Sequence, residues 1–129
     1  MLDTNIVSDL MRHPQGRVFD HILRVGSAQL CVSIITAAEI RYGCAKKGSA
    51  RLLAQAEAVL GSIEILPFDV PADAEYGGIR AELEAAGKTI GPNDLLIAAH
   101  AYLLGATMVT DNVDEFSRVR GLKIENWLE

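Results

Sequence analysis

Apolar positions recur with helical spacing over most of the chain, and short β-branched runs separate these segments. The helical spacing predicts helices at residues 5–12, 17–25, 36–46, 50–61, 72–87 and 92–105. The short runs predict strands at residues 1–3, 30–35, 63–68, 106–111 and 122–127. Because strands alternate with helices, right-handed crossovers should build a mainly parallel central sheet that is flanked by helices on both faces. The predicted fold class is therefore α/β.

Length and hydropathy limit the class of protein further. At 129 residues the chain fits one domain, residues 1–129, with no internal repeat or linker. The mean hydropathy of +0.19 is high, which favours an apolar surface that a partner covers. No stretch approaches the roughly 20 apolar residues of a membrane span, and the N-terminus lacks the pattern of a signal peptide. These features predict a cytoplasmic protein with no membrane partner.

Charge and cysteine content argue against two classes of site. The net charge of -5 disfavours a protein that holds nucleic acid by bulk electrostatics, unless its acids cluster around metal ions. The two cysteines, Cys31 and Cys44, lie in apolar segments. They are interpreted as small buried hydrophobic residues rather than as a disulfide or a zinc site.

Four acidic residues fall where a parallel sheet gathers its ligands, at the C-terminal ends of strands and the first turns of helices. Asp3 and Asp111 are expected to end strands, and Glu39 and Asp94 to lie in first helical turns. Each also has a purely structural interpretation: Asp3 as a helix cap, Glu39 as part of a capping box with Thr36, Asp94 as a helix-dipole partner, and Asp111 as a turn residue. One at a time, the four residues do not decide between these interpretations.

The conjunction of the four acids favours a metal site, because caps do not require four mutually repelling carboxylates. Oxygen ligands without a partnering histidine or cysteine suit Mg²⁺ or Mn²⁺, which in turn suit phosphodiester chemistry. No phosphate-binding loop, dinucleotide fingerprint, zinc-protease motif or serine-hydrolase elbow is present. The histidines, His13, His21 and His100, have no metal-ligand spacing, and His100 is predicted to be a packing residue.

Four motifs resemble those of PIN domains in order and setting: LDTNI, TAAEI, GPNDLLIAAHA and MVTDNVDEF. More narrowly, the chain resembles VapC toxins, the ribonucleases of VapBC toxin-antitoxin pairs. This resemblance runs over nearly the whole chain, through IRAELEAAGKTIGPND and the closing GLKIENW. It implies a three-layer PIN-like fold. One departure is the first strand, which has fewer residues before its acid than many relatives have.

The resemblance also implies a role for each acid. Asp3 and Asp94 would be direct metal ligands, and Glu39 and Asp111 would act mainly through water. Relatives often carry Asn or Arg in place of Asp111, so a three-acid site is the alternative, with Asp114 or Glu115 compensating. The residues expected to orient the acids are Thr4, Asn5, Thr110 and Asn112. Candidate RNA contacts are Arg12, His13, Arg41, Lys46, Lys47 and Lys88, for which a solvated surface charge is the competing interpretation.

The function implied by the resemblance is that of a toxic Mg²⁺-dependent endoribonuclease acting on structured RNA, tRNA or ribosomal RNA. The implied partners are a cognate VapB-type antitoxin, a second copy of the chain, and DNA only through the antitoxin. Two alternatives stay open from the sequence. One is a PIN-like module that binds RNA or protein without cutting. The other is an enzyme for a small phosphorylated molecule, which would need a closed pocket and phosphate-binding glycines.

Overall fold

The computed structural model describes residues 1–129 and contains seven α-helices and four short strands. The helices are α1 Thr4–Arg12, α2 Arg17–Val25, α3 Ile34–Lys47, α4 Ala50–Leu60, α5 Ala72–Ala85, α6 Pro92–Leu104 and α7 Val113–Phe116. The strands are β1 Cys31–Ser33, β2 Glu64–Leu66, β3 Met108–Val109 and β4 Ile124–Glu125. The predicted order of helices and strands is confirmed from α1 onward, and the short helix α7 is an addition to it. The strand predicted for residues 1–3 is present only as a single parallel bridge at Leu2.

The sheet is parallel throughout, and the N-terminal residues join its two halves. Strand β1 pairs with β2, and β3 pairs with β4, both in parallel register. Between these pairs, Leu2 bridges Val109 in parallel and donates its N–H to the carbonyl of Cys31 at 3.0 Å. The spatial order is therefore β2, β1, the N-terminal segment, β3 and β4. This order places the end of the N-terminal segment in the middle of the sheet.

Helices cover both faces of this sheet, and alternate residues of the central strands enter opposite cores. Met1 and Met108 belong to a hydrophobic cluster with α5, α6 and α7. Their neighbours Leu2 and Val109 belong to a second cluster with α1, α3 and α4. Because successive strand residues point to opposite faces, each core forms on its own side of the sheet. The three-layer arrangement follows from this alternation.

Every predicted strand is longer than the observed one, and two of the misplaced strand ends lie beside the acids. The strand predicted for residues 30–35 ends at Ser33, whose hydroxyl accepts the N–H of Ile35 at 3.1 Å and begins α3 there. Glu39 therefore lies in the second turn of α3, and the Thr36–Glu39 capping box does not form. Asp111 does not end a strand, because β3 stops at Val109. A serine cap and an early turn end these strands sooner than their apolar content indicates.

The buried polar residues behave largely as predicted. Cys31 and Cys44 are free thiols, the first half-buried and the second buried. His100 shares a 2.8 Å hydrogen bond with the Ser33 hydroxyl and meets the Phe68 ring edge-on. Burial lowers the pKa of His100, which keeps the imidazole neutral in its packing role. None of the helices combines the length and the apolar character needed to cross a membrane.

Candidate active site

Asp3 caps α1 and at the same time faces the other acids. It is 4% exposed, and its Oδ1 accepts the N–H of Ile6 at 3.0 Å. Its Oδ2 accepts the hydroxyl of Thr110, which follows β3. Burial raises the pKa of Asp3 to about 6, against these two hydrogen bonds, which lower it. The capping interpretation is thus correct, and it does not compete with a place in the site.

Asp94, in the first turn of α6, forms a carboxyl–carboxylate pair with Glu115. Burial, as the largest cause, and the charges of Glu115, Glu39 and Asp3 together raise the pKa of Asp94 to about 7. The backbone N–H of Gly91 donates to Glu115 Oε1 at 2.6 Å and holds the pKa of Glu115 below its usual range. When the site holds one proton, Asp94 therefore carries it and Glu115 is ionised.

Glu39 is held from two sides. The hydroxyl of Thr4 donates to its Oε1 at 2.5 Å, and Asn93 Nδ2 donates to its Oε2 at 3.2 Å. The sequence predicts that Thr4 orients an acid, but its local pattern gives no such role to Asn93. The available signal was its position directly before Asp94 in the first turn of α6. These two contacts tie α3 to the N-terminal turns of α1 and α6.

Asp111 is the most exposed of the four predicted acids. Asn5 Nδ2 donates to its Oδ1 at 3.2 Å, and its charge contributes to the raised pKa of Asp3. Asp114, a possible substitute for it, has a side chain that is 94% exposed and pairs with Arg118 at 3.5 Å. Glu115 is the substitute that the fold brings into the site.

The acids form one continuous electrostatic group with chemistry that fits a hard cation. Glu39 and Asp3 both act on Asp94, and Asp111 acts on Asp3. No three of these side chains converge closely enough to hold one ion in the present side-chain arrangement. The donor set nonetheless fits a divalent ion, because several desolvated carboxylates oppose one another with no cation among them. A bound cation would offset the repulsion that, after burial, raises the pKa of Asp94.

The candidate RNA contacts do not lie together. Arg41 pairs with Glu57, and Lys46 lies 6.0 Å from the centre of the Tyr42 ring. Lys88 lines a separate cavity with Asp114 and Arg118. Arg12 and Lys47 line one cavity together with Thr4 and Glu39 of the site, and His13 is the exposed residue that follows α1. The fold therefore brings only two of the six basic candidates next to the acids.

Comparison with known proteins identifies a family over most of the chain. The family model described as PIN domain matches residues 1–122. Ribonuclease VapC2 of Rickettsia felis is 40% identical over 98% of this chain and 96% of its own length. The tRNA(fMet)-specific endonuclease VapC of Salmonella typhimurium is 36% identical, with the same coverage of both chains. PIN-domain nucleases generally depend on divalent metal ions.

The fold has a match among solved structures as well. A chain in the crystal structure of VapBC2 from Rickettsia felis, bound to a DNA fragment from their promoter, superposes with a TM-score of 0.91. It is 35% identical to this chain, and the match covers 98% of this chain and 97% of the other. The predicted α/β class with a parallel sheet between helical layers is thereby confirmed.

Proposed function

We propose, since this chain belongs to the PIN-domain family and within it to the VapC proteins, that it is a metal-dependent endoribonuclease and the toxin of a toxin-antitoxin pair. The observation that carries the proposal is the gathering of Asp3, Glu39, Asp94 and Asp111 at one edge of the sheet. The Rickettsia felis relative is named as a ribonuclease. We assign the activity to residues 1–129 as one PIN domain in the cytoplasm.

In this proposal Asp3 and Asp94 hold the metal directly, and Glu39 and Asp111 act through water. Mg²⁺, or Mn²⁺ in its place, suits these oxygen ligands, and it would supply a water of lowered pKa and neutralise charge at the scissile phosphate. Thr110 and Thr4 orient Asp3 and Glu39 by their hydroxyl groups. Glu115 accepts the N–H of Gly91 and pairs with Asp94. Helix α7 thus supports the site with a residue that is not one of the four predicted acids.

The substrate is proposed to be structured RNA, and tRNA is the first candidate. A relative that is 36% identical is named as a tRNA(fMet)-specific endonuclease. Hydrolysis would leave a 3′-hydroxyl and a 5′-phosphate. The alternatives of a non-cutting binding module and of an enzyme for a small phosphorylated molecule become outcomes of the test below.

Purified protein should cut total cellular RNA into discrete fragments with Mg²⁺ and leave it intact with EDTA. Asp3→Asn should remove this activity while the protein stays folded, because Asn caps a helix about as well as Asp. Asp114→Asn is the matched control, since this neighbouring acid faces solvent, and it should cut normally. Equal activity of wild type and Asp3→Asn would refute the nuclease proposal. Metal-independent RNA binding without cutting would favour the binding module.

The proposed antitoxin site is an apolar groove of about 570 Å³ between α1, α2 and α4. Leu10, Phe19 and Val59 line it, and Leu23 at its rim is 66% exposed. The apolar excess of the chain is thus partly concentrated in one concave surface, where an apolar segment of the antitoxin would bury it. We further propose that the toxin is a homodimer and that it reaches DNA only through the antitoxin.

Leu23→Glu should weaken the complex with the co-expressed antitoxin by about 2 kcal/mol or more, because a charge would enter an apolar interface. Co-purification followed by titration calorimetry measures the loss. Leu104→Glu is the control, since Leu104 is 48% exposed and lies outside the groove. Cleavage of RNA by free Leu23→Glu toxin should be unchanged. Equal losses for both variants would place the antitoxin elsewhere.

A further inference from the structure

A second groove leads away from the acids between α1 and α3. Thr4 and Glu39, joined by a hydrogen bond, form one end of it. Eight residues further along each helix, Arg12 and Lys47 form the other end. At 1.5 Å per residue this is a path of about 12 Å. An adjoining cavity of about 370 Å³ shares Arg12 and Lys47 and adds Arg51 of α4. The path therefore begins at the acids and ends among cations.

The three cations have no acidic partner. The ion pairs of the protein join Arg41 to Glu57, Arg80 to Glu84, Arg118 to Asp114 and Arg120 to Glu82. Arg12, Lys47 and Arg51 form none, and Glu39 is the single acid that lines either cavity. In a chain of net charge -5, three unpaired cations around one groove are a local reversal of sign. Such a reversal favours an anionic ligand.

Helix electrostatics explains only part of this cluster. Arg12 and Lys47 lie in the last turns of α1 and α3, where the helix dipole favours cations without any ligand. Arg51 lies in the first turn of α4, where the dipole disfavours a cation. An anion beside Arg51 would be attracted both by its guanidinium and by the N-terminus of α4. A bound anion would account for the position of Arg51.

Gly43 lies midway along the groove wall, inside α3. A Cβ added at Gly43 would meet no atom within 4 Å, so packing does not require glycine there. Glycine in a helix interior is less favourable than alanine. Its effect in this fold is to leave the groove open between the acids and the cations.

We propose that this groove is the path of the RNA strand beside the scissile bond, with backbone phosphates bound by Arg12, Lys47 and Arg51. The inference rests on the proposed function, because the strand must reach the acids to be cut. Contacts to phosphate position a strand without selecting its sequence, so the groove contributes affinity and register. An acidic peptide is the less favoured occupant, because Glu39 would repel it at the site end.

The first test is binding of a fluorescein-labelled single-stranded oligouridine in EDTA, measured by anisotropy over a range of salt concentrations. Arg12→Gln, Lys47→Gln and Arg51→Gln should each weaken binding by roughly threefold to tenfold at low salt. Each should also lower the slope of log affinity against log salt by about 1. Lys123→Gln, an exposed cation outside both cavities, is the control and should bind as wild type. Equal binding by all four variants would overturn the proposal.

The second test fills the groove. Gly43→Gln should keep or raise the melting temperature, since glutamine is the better helix former. It should weaken oligouridine binding and raise KM for RNA more than it lowers kcat. Wild-type affinity in Gly43→Gln would overturn the path along α3. A further outcome is that polyglutamate binds more tightly than oligouridine and loses that binding in Arg12→Gln, Lys47→Gln and Arg51→Gln. This result would also overturn the proposal, in favour of an acidic peptide.

The two proposals fail in distinguishable ways. A protein that binds oligouridine through the three cations but never cuts RNA would refute the nuclease and retain the groove. A nuclease whose KM is unaffected in Arg12→Gln, Lys47→Gln and Arg51→Gln would refute the groove and retain the nuclease.

Discussion

Asp94→Asn is expected to abolish RNA cleavage and to raise the melting temperature of the metal-free protein. In wild type, the pKa of Asp94 is raised to about 7 by burial and by the charges of Glu115, Glu39 and Asp3. Asparagine removes this charge and can still donate a hydrogen bond to Glu115, as protonated Asp94 does. The gain should be about 1–2 kcal/mol in the free energy of unfolding near pH 8. The proposed metal ligand is lost in the same step.

The sign of the pH dependence follows from the raised pKa values. The pKa of Asp3 is raised to about 6 and that of Asp94 to about 7, both from 3.8. The folded state therefore binds more protons than the unfolded state between about pH 4 and pH 7. In that window the stability of metal-free wild type is expected to fall as pH rises. Asp94→Asn should lose less stability over this window. The melting temperatures of the two proteins should therefore differ more near pH 8 than near pH 5.

Thermal unfolding in EDTA across this pH range measures the effect. Added Mg²⁺ should raise the melting temperature of wild type and have little effect on Asp94→Asn, because ligands that bind only the folded state stabilise it. Asp114→Asn, altered at an acid that faces solvent, is the matched control for charge removal. If Asp94→Asn melts lower than wild type near pH 8, the acids are not in mutual repulsion. If it cuts RNA normally, Asp94 is not a metal ligand.

Thr110→Val is expected to lower both stability and cleavage. Thr110 is fully buried, donates its hydroxyl to Asp3, and accepts the N–H of Asn112 at 2.9 Å. Valine has nearly the same shape but leaves an oxygen of Asp3 and the Asn112 N–H without a partner. The cost should be about 1–3 kcal/mol in unfolding free energy. Cleavage should fall by roughly 10- to 100-fold, the usual effect of removing a side chain that orients a metal ligand.

Thr110→Ser separates positioning from general destabilisation. Serine retains the hydroxyl that bonds Asp3 and loses only a methyl group. It should recover most of the cleavage rate and the metal affinity, which can be measured by Mg²⁺-dependent thermal shift. A valine variant that matches the serine variant in both measurements would show that the Thr110–Asp3 hydrogen bond does not position the acid.

The edge of the sheet at which the acids gather could be predicted from the chain alone. Apolar periodicity and the alternation of strands with helices require a parallel sheet, and parallel strands end at one edge. Asp3 and Asp94 were placed near that edge by local sequence, since one follows the first strand and the other follows a proline that starts a helix. The roles of the four acids in metal binding stay predictions.

The details within the site required contacts between distant residues. Glu115 is adjacent in sequence to Asp114, yet only Glu115 meets Asp94, because α7 turns one side chain inward and leaves the other in solvent. Asn93 holds Glu39 across 54 positions of the chain. Local pattern does not encode such pairs, because which side chains meet depends on how separate helices pack.

The sequence by itself determined the layers of the fold and the type of chemistry, since periodicity and acid content are local properties. Only the tertiary structure decided which basic side chains form ion pairs and which have no acidic partner. Arg41 and Lys47 are both basic residues of α3, but Arg41 faces Glu57 of α4 while Lys47 has no acidic partner and lines the groove from the acids. The reason is geometric: residues six apart on a helix point in different directions, so packing against α4 neutralises one and leaves the other available.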